Sequence, residues 1–297
     1  MTNNNNRGVP VRRVLGRALD GAMQWRLWVL AIGATLGCAL VGSLPAWNWL
    51  SGVLDHSVHA GEIASGQAPT LLLDALLSSD APMSLLREGS LVATVLMLLL
   101  SPLLAGAAVT ASRSYERLGF GDLLRGGLSE YGPMLRMLVW SIIPLGVALL
   151  VMTMIIGGNE KAHEHAILAS GAETGRNIAF VVGGLLFVLA HAGIEAGRGW
   201  LAADGRLRSA LRAWWRGMRL LAKRPVAVLA VYLVTTLLGL LAAVALLWLR
   251  QHVSGAGLGG FLYGLLMSCG IAAALAWSRI ARLFGMKALA EDMHARR

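Results

Sequence analysis

The run PVAVLAVYLVTTLLGLLAAVALLWL, Pro225 to Leu249, contains no Asp, Glu, Lys or Arg. A helix of about 20 apolar residues crosses the hydrocarbon core of a bilayer, and this run is apolar on every side of the helix it would form. Five more runs share the property: Leu27–Leu54, Gly89–Ser112, Met137–Asn159, Asn177–Ile194 and Gln251–Ser278. The whole chain is 56% hydrophobic and only 14% charged, too little charge to cover a soluble protein of 297 residues. The expected fold is an all-α polytopic membrane bundle of six transmembrane helices forming a single integral domain, 1–297. The fifth and sixth runs nearly touch and predict a helical hairpin.

Charge orients the bundle. Only four cations, Arg87, Lys161, Arg176 and Arg250, fall on the side opposite the N-terminus, which leaves 22 of the 26 Lys and Arg on the other. The positive-inside rule then predicts that both termini are cytoplasmic. The net charge of +10 is accordingly a topological signal, and nucleic acid is not an expected partner. Trp25, Trp28, Trp200 and Trp277 sit at inner ends of the spans and Trp47, Trp49 and Trp248 at outer ends, where an amphipathic ring meets the headgroups. The first run is longer than the apolar core of a signal peptide and is expected to be retained. Cys38 and Cys269 lie inside spans, so no disulfide framework is implied.

Just ahead of Pro225 stands RLRSALRAWWRGMRLLAKRP, from Arg206. On a helical wheel Leu207, Leu211, Trp214, Trp215, Met218 and Leu221 share a face, flanked by a stripe of Arg208, Arg212, Arg216, Arg219 and Lys223. This predicts a cytoplasmic amphipathic helix. Either its apolar face lies in the headgroup boundary with the stripe on anionic lipid phosphates, or the helix packs on the protein's own surface. GDLLRGGLSEYGPMLRMLVW, from Gly121, repeats the order of basic helix, glycine after arginine, proline and span; VRRVLGRALDGAMQWRLWVL, from Val11, is a fainter version of basic helix and span without the proline. Three parallel helix-pair units follow, about 11–110, 113–200 and 206–285, each preceded by an amphipathic helix.

Within the sixth span Gly260, Gly264, Ser268, Ala272 and Ala276 recur every four residues and predict a close helix-packing seam. Gly33 with Gly37, and Gly193 with Gly197, are shorter versions. The segment Gln67–Glu88 is apolar enough for one or two short helices on the outer surface.

Two groups of residues are candidates for chemistry. His191, Glu195 and Arg198 share a face of the fourth span near its inner end; ionisable groups at that depth serve either as a structural ion pair or as a substrate or proton site. Outside, Asp55, His56, His59 and Glu62 and, in a second loop, Glu160, His163, Glu164 and His165 are of metal-ligating types, but their spacing matches no closed zinc site, and neither metal nor cofactor is expected. Nucleophile elbows, phosphate loops and H-E-x-x-H are absent, so no enzymatic activity is expected.

The runs SPLLAGAAVTASRSYERLGFGDLLRGGLSEYG and GWLAADGRLRSALRAWWRGMRLLAKRPVAVLAVYL resemble six-span bacterial inner-membrane proteins related to the membrane domain found beside glycerophosphoryl diester phosphodiesterases. The resemblance covers most of the chain from about Leu91 and implies a membrane bundle. It does not imply phosphodiesterase activity, which in that family belongs to a separate soluble barrel. The expected function is that of a non-enzymatic membrane protein, either a membrane-organising or assembly subunit, with membrane-protein partners or further copies of itself, or a component that binds or moves lipid-like molecules. A small-solute or ion carrier using His191, Glu195 and Arg198 is the alternative, and a membrane-embedded metalloenzyme is a third, weaker reading.

Overall fold

The computed structural model describes residues 9–54, 57–64, 69–77, 81–114, 116–162, 169–252 and 257–296. Its ten helices, with no strand among the described residues, are α1 (Val11–Gly21), α2 (Trp25–Leu54), α3 (Ala60–Ala64), α4 (Pro69–Leu77), α5 (Met83–Arg113), α6 (Phe120–Ala162), α7 (Ala169–Ala203), α8 (Ala210–Lys223), α9 (Pro225–Gln251) and α10 (Leu258–His294). Six of them, α2, α5, α6, α7, α9 and α10, are long and apolar enough to cross a bilayer. The chain is an integral membrane protein. Five of the predicted spans lie within one of these helices each; the sixth, Gln251–Ser278, starts at the last residue of α9 and is carried by α10 from Leu258, and α4 occupies part of the segment predicted to carry short outer helices.

The helices pair as hairpins, α2 with α5, α6 with α7 and α9 with α10, and the hairpins meet around a ring in which α2, α5, α6, α7 and α10 touch in succession and α10 returns to α2. Helix α9 stays outside this ring, packed on α10. Each amphipathic segment lies on the second span of a hairpin other than the one it leads into. Thus α1 packs on α10, the first turns of α6 pack on α5, and α8 packs on α7.

Small residues make these crossings. A Cβ on Gly127 of α6 would stand 2.8 Å from the Leu103 carbonyl oxygen of α5, and one on Gly106 would stand 2.7 Å from the Gly127 carbonyl oxygen. On α8, a Cβ at Gly217 would meet the backbone of Gly197 and lie 2.6 Å from the Gly193 carbonyl oxygen. The pair Gly193 and Gly197 therefore receives the amphipathic helix rather than another span.

The amphipathic segments end differently. Pro225 starts α9 at its first turn, and Arg224 leaves the helical region with φ −138° and ψ 59°, as expected of the residue before a proline. Pro133 instead lies within the continuous α6, which joins amphipathic helix and span in one 43-residue rod. A proline there sacrifices one backbone hydrogen bond. The buried Glu130, Met134 and Met137 on either side hold the rod together by packing.

The densest packing is at the basic end, the end that carries α1 and α8, where Trp200, Ile194, Leu201, Leu220, Met286 and Leu289 are buried. Cations from one helix cap the last carbonyls of another there, a favourable arrangement at the negative end of a helix dipole. Arg113 at the end of α5 donates to the Leu201 carbonyl at 2.6 Å and the Ala202 carbonyl at 2.9 Å in α7, and its remaining nitrogen reaches Glu130 at 2.8 Å. Lys287 of α10 donates to the Ser112 carbonyl of α5. Arg224 joins Asp292 at 2.5 Å and the Val9 carbonyl at 3.1 Å, which fastens the segment before α1 to the α8–α9 junction and the end of α10.

Toward the far end close approach occurs within hairpins, where Gly42 meets Gly89 and Ala93, Gly183 meets Met152, and Gly270 meets Leu246. Gly33, Gly37, Gly184 and Gly264 face open space.

Candidate functional site

The ring of helices encloses a cavity of about 610 Å³, within the range of small-molecule sites. Its walls are mostly apolar, with Leu27 and Ala31 from α2, Met97, Leu98 and Ala105 from α5, Met134 and Leu138 from α6, and Ala272, Leu275 and Ala276 from α10. No residue of α9 lines it. Two wall residues, Leu98 and Leu275, are 48% and 39% exposed, so the cavity is open at its apolar end. Its other end, toward the basic end of the bundle, is lined by His191, Glu195 and Arg198 of α7 and Arg279 and Arg282 of α10.

Glu195 organises this polar floor. It is 4% exposed, with Oε1 accepting from Arg198 at 2.7 Å and Oε2 3.5 Å from Arg282 Nε. The second contact is an ion pair without a hydrogen bond, and the outer nitrogen of Arg282 donates to Thr236 Oγ1 at 2.8 Å. Arg282 also lies over the ring of Tyr232, 5.4 Å from its centroid. His191 Nδ1 is 2.9 Å from the Tyr232 hydroxyl, and its Nε2 is 3.7 Å from Glu195 Oε1. Arg279 makes no hydrogen bond or ion pair among the described residues. Three guanidiniums against one carboxylate leave two positive charges uncompensated in one cavity.

The structure thus brings His191, Glu195 and Arg198 together as their spacing predicts, and the Arg198–Glu195 ion pair is formed. It adds Arg279 and Arg282, which the sequence reading had assigned to the cytoplasmic charge count because the apolar run stops at Ser278. Helix α10 continues to His294, which buries Arg282 in the bundle and sets Arg279, an exposed residue, on the cavity wall. Their spacing of three residues, one helical turn, was the available signal.

The amphipathic helix α8 divides its predicted surface. Leu211 and Trp215 are exposed, at 52% and 53%, beside the exposed Arg212, Arg219 and Lys223, and Arg219 lies over the Trp215 ring at 5.6 Å. Arg208, also exposed, donates to the Ser129 carbonyl at 3.3 Å. Two residues of the predicted surface also make contacts within the protein. Arg216 is half-buried, pairs with Asp204 at 3.0 Å and lies over the Trp200 ring at 5.4 Å. Trp214 is half-buried, edge-on to Trp140 with centroids 5.7 Å apart. The buried strip is Ala210, Ala213, Gly217, Leu220 and Leu221, because a flat small-residue face lets α8 approach the α7 backbone more closely than its tryptophans would. Burial pushes the Asp204 carboxyl up, but hydrogen bonds from Arg216 and the Arg206 amide outweigh it and hold the carboxyl below its ordinary value.

The predicted seam on α10 is also corrected. A Cβ on Gly264 meets nothing within 4 Å, Gly260 is half-buried, and Ser268 donates to the Gly264 carbonyl of its own helix at 2.8 Å. Ala272 and Ala276 face the cavity, where small side chains leave the space that defines it. Helix α10 approaches α9 elsewhere, where a Cβ on Gly239 would stand 2.7 Å from Ser278 Oγ. Of the outer-loop histidines, His59 lies 3.1 Å from Glu62, while His56, His163 and His165 fall outside the described residues.

Comparison with protein-family models, with curated proteins and with solved structures returns no match. The cavity and the exposed face of α8 are therefore the grounds for a functional reading.

Proposed function

We propose that the chain is a non-enzymatic component of the bacterial inner membrane, with both termini cytoplasmic, that binds an anionic amphiphile in the cavity among α2, α5, α6, α7 and α10. The observation that carries this reading is the pairing of an apolar, open upper wall with a floor holding two excess positive charges. An acyl chain satisfies the first and an anionic headgroup the second.

Depth supports the same reading. Helix α8 crosses α7 at Gly193 and Gly197, the turn that carries Glu195 and Arg198. With Leu211 and Trp215 in the headgroup boundary and Arg212, Arg219 and Lys223 on anionic phosphates, the cavity floor lies at headgroup level in the inner leaflet. A lipid entering from that leaflet keeps its depth.

The carrier and enzyme alternatives are less well supported. Both Glu195 oxygens already face guanidiniums, whose charge opposes binding of a cation there. The hydroxyls of Thr35, Thr94 and Ser101 on the cavity wall donate to carbonyls of their own helices and have no adjacent base.

The test is lipid retention. Protein purified in neutral detergent should hold anionic phospholipid through washing, as measured by mass spectrometry. Ala276→Phe, which fills the apolar wall, and Arg279→Gln, which removes a free cation, should each lose it. An equal lipid complement in all three proteins overturns the proposal.

A further inference from the structure

We infer that the headgroup received by the cavity is a phosphate monoester, so the ligand is a dianionic amphiphile rather than a phosphodiester lipid or a fatty acid. This inference rests on the amphiphile reading above and adds the chemical class of the ligand.

The charge count is the first ground. The floor presents Arg198, Arg279 and Arg282 against Glu195 alone. The other elements lining the cavity contribute no charge: α2 brings Thr35, α5 brings Thr94 and Ser101, and α6 brings Met134 and Leu138. Arg282 is buried, Arg198 half-buried and Arg279 more exposed on the cavity wall, and charge held away from bulk water is costly unless matched. A phosphate monoester carries close to two negative charges above its second pKa of about 6, whereas a diester or a carboxylate carries one. Only the monoester brings the floor to neutrality in a single binding event.

Donor geometry is the second. Glu195 occupies one nitrogen of Arg198 at 2.7 Å, and Thr236 occupies one nitrogen of Arg282 at 2.8 Å. Arg279 keeps its whole donor fork, and the rest of the Arg198 fork stays unused among the described contacts. Guanidinium forks bind phosphate through paired N–H groups, and a monoester offers three terminal oxygens where a diester offers two. A zwitterionic headgroup is disfavoured by the same geometry, because Glu195, the only carboxylate on the floor, already faces two arginines.

The experiment measures binding of short-chain lipids to the full-length protein in neutral-detergent micelles at pH 8, where the monoester is doubly ionised. Phosphatidic acid, phosphatidylglycerol and phosphatidylcholine with identical chains are compared, together with soluble glycerol 3-phosphate. Phosphatidic acid should bind about tenfold more tightly than phosphatidylglycerol, the worth of one charge-assisted hydrogen bond, and phosphatidylglycerol more tightly than phosphatidylcholine. Arg279→Gln should bring the first ratio toward one. Ala276→Phe, with the arginines intact, should weaken both anionic lipids equally, which separates loss of the tail site from loss of the headgroup site. Glycerol 3-phosphate should compete far less well than phosphatidic acid.

Equal binding of phosphatidic acid and phosphatidylglycerol, both above phosphatidylcholine, overturns the monoester assignment and leaves the amphiphile reading standing. No preference for either anionic lipid overturns both. Glycerol 3-phosphate competing as well as phosphatidic acid overturns the amphiphile reading and keeps the monoester.

Discussion

Replacing Glu195 by Gln keeps the side chain's shape and removes the one negative charge among three guanidiniums. Charges about 4 Å apart attract by about 4 kcal/mol at an effective dielectric of about 20, and Glu195 lies 2.7 Å from Arg198 and 3.5 Å from Arg282. Desolvation of the carboxylate opposes this attraction. Losing one partner of a buried pair nevertheless costs about 3–5 kcal/mol, because the other charge stays behind. The Gln amide oxygen still accepts from Arg198, so the lower figure applies, about 3 kcal/mol.

Arg198→Gln alone should cost less, since its side chain is 24% exposed and Arg282 continues to neutralise Glu195. In the Glu195→Gln background the sign changes. There Arg198 is one of three mutually repelling cations, so its removal should be neutral or stabilising. The coupling between the two positions is expected to be about 2 kcal/mol. Thermal unfolding in detergent, followed by survival of the monodisperse peak on size exclusion, reads this as a drop of roughly 6–12 °C for Glu195→Gln that Arg198→Gln does not deepen. Losses that add within about 0.5 kcal/mol would refute the claim that Glu195 holds the cationic floor together.

Gly217→Val should displace α8, because the atoms its side chain meets are the backbone of Gly193 and Gly197 and cannot yield. Overpacking of this kind costs about 1–3 kcal/mol, while Gly37→Val, where a Cβ meets nothing within 4 Å, should leave the melting temperature unchanged. The Asp204 carboxyl is held below its ordinary value in the folded protein, so its contribution is fully present above the unfolded pKa of about 3.9 and is lost as pH falls through the folded value. The stability gap between wild type and Asp204→Asn should therefore persist at pH 6 and close in strong acid; a gap independent of pH rules out the Asp204–Arg216 pair as its origin. For the proposed orientation, a cysteine at Gly61 should react with an impermeant thiol reagent in intact cells and one at Ser209 should not, and the reverse pattern inverts the topology.

All six spans were legible from the charge-free runs, since hydropathy reports the solvent a segment meets and needs no tertiary information. The ion pair of Glu195 with Arg198 was legible for a similar reason, since three residues make nearly one helical turn. Arg279 and Arg282 were not, because charge at the edge of an apolar run reads equally as a span end and as an inward-facing cluster, and only the packing of α10 on α7 decides between them. The internal contacts of the half-buried Trp214 and Arg216 were not legible, because a wheel weights large apolar side chains. Burial of α8 follows how closely two backbones approach, which Ala213 and Gly217 govern. The seam on α10 failed by the same logic in reverse, since small residues at regular spacing permit either contact or empty space, and at Ala272 and Ala276 they line the cavity.

The cations that cap neighbouring helices at the basic end have a consequence for how the chain enters its membrane. In the proposed orientation Arg113, Arg224 and Lys287 belong to the positive charge that would set which side the termini occupy. In the folded protein the same three side chains hold α7, the segment before α1, and α5 in place. Charge substitutions at these positions, of the kind that can flip a topology, would here remove tertiary fasteners at the same stroke, so an inverted copy of this chain would lack these contacts when it folds. Orientation and structure are written in the same atoms, and neither can drift without the other.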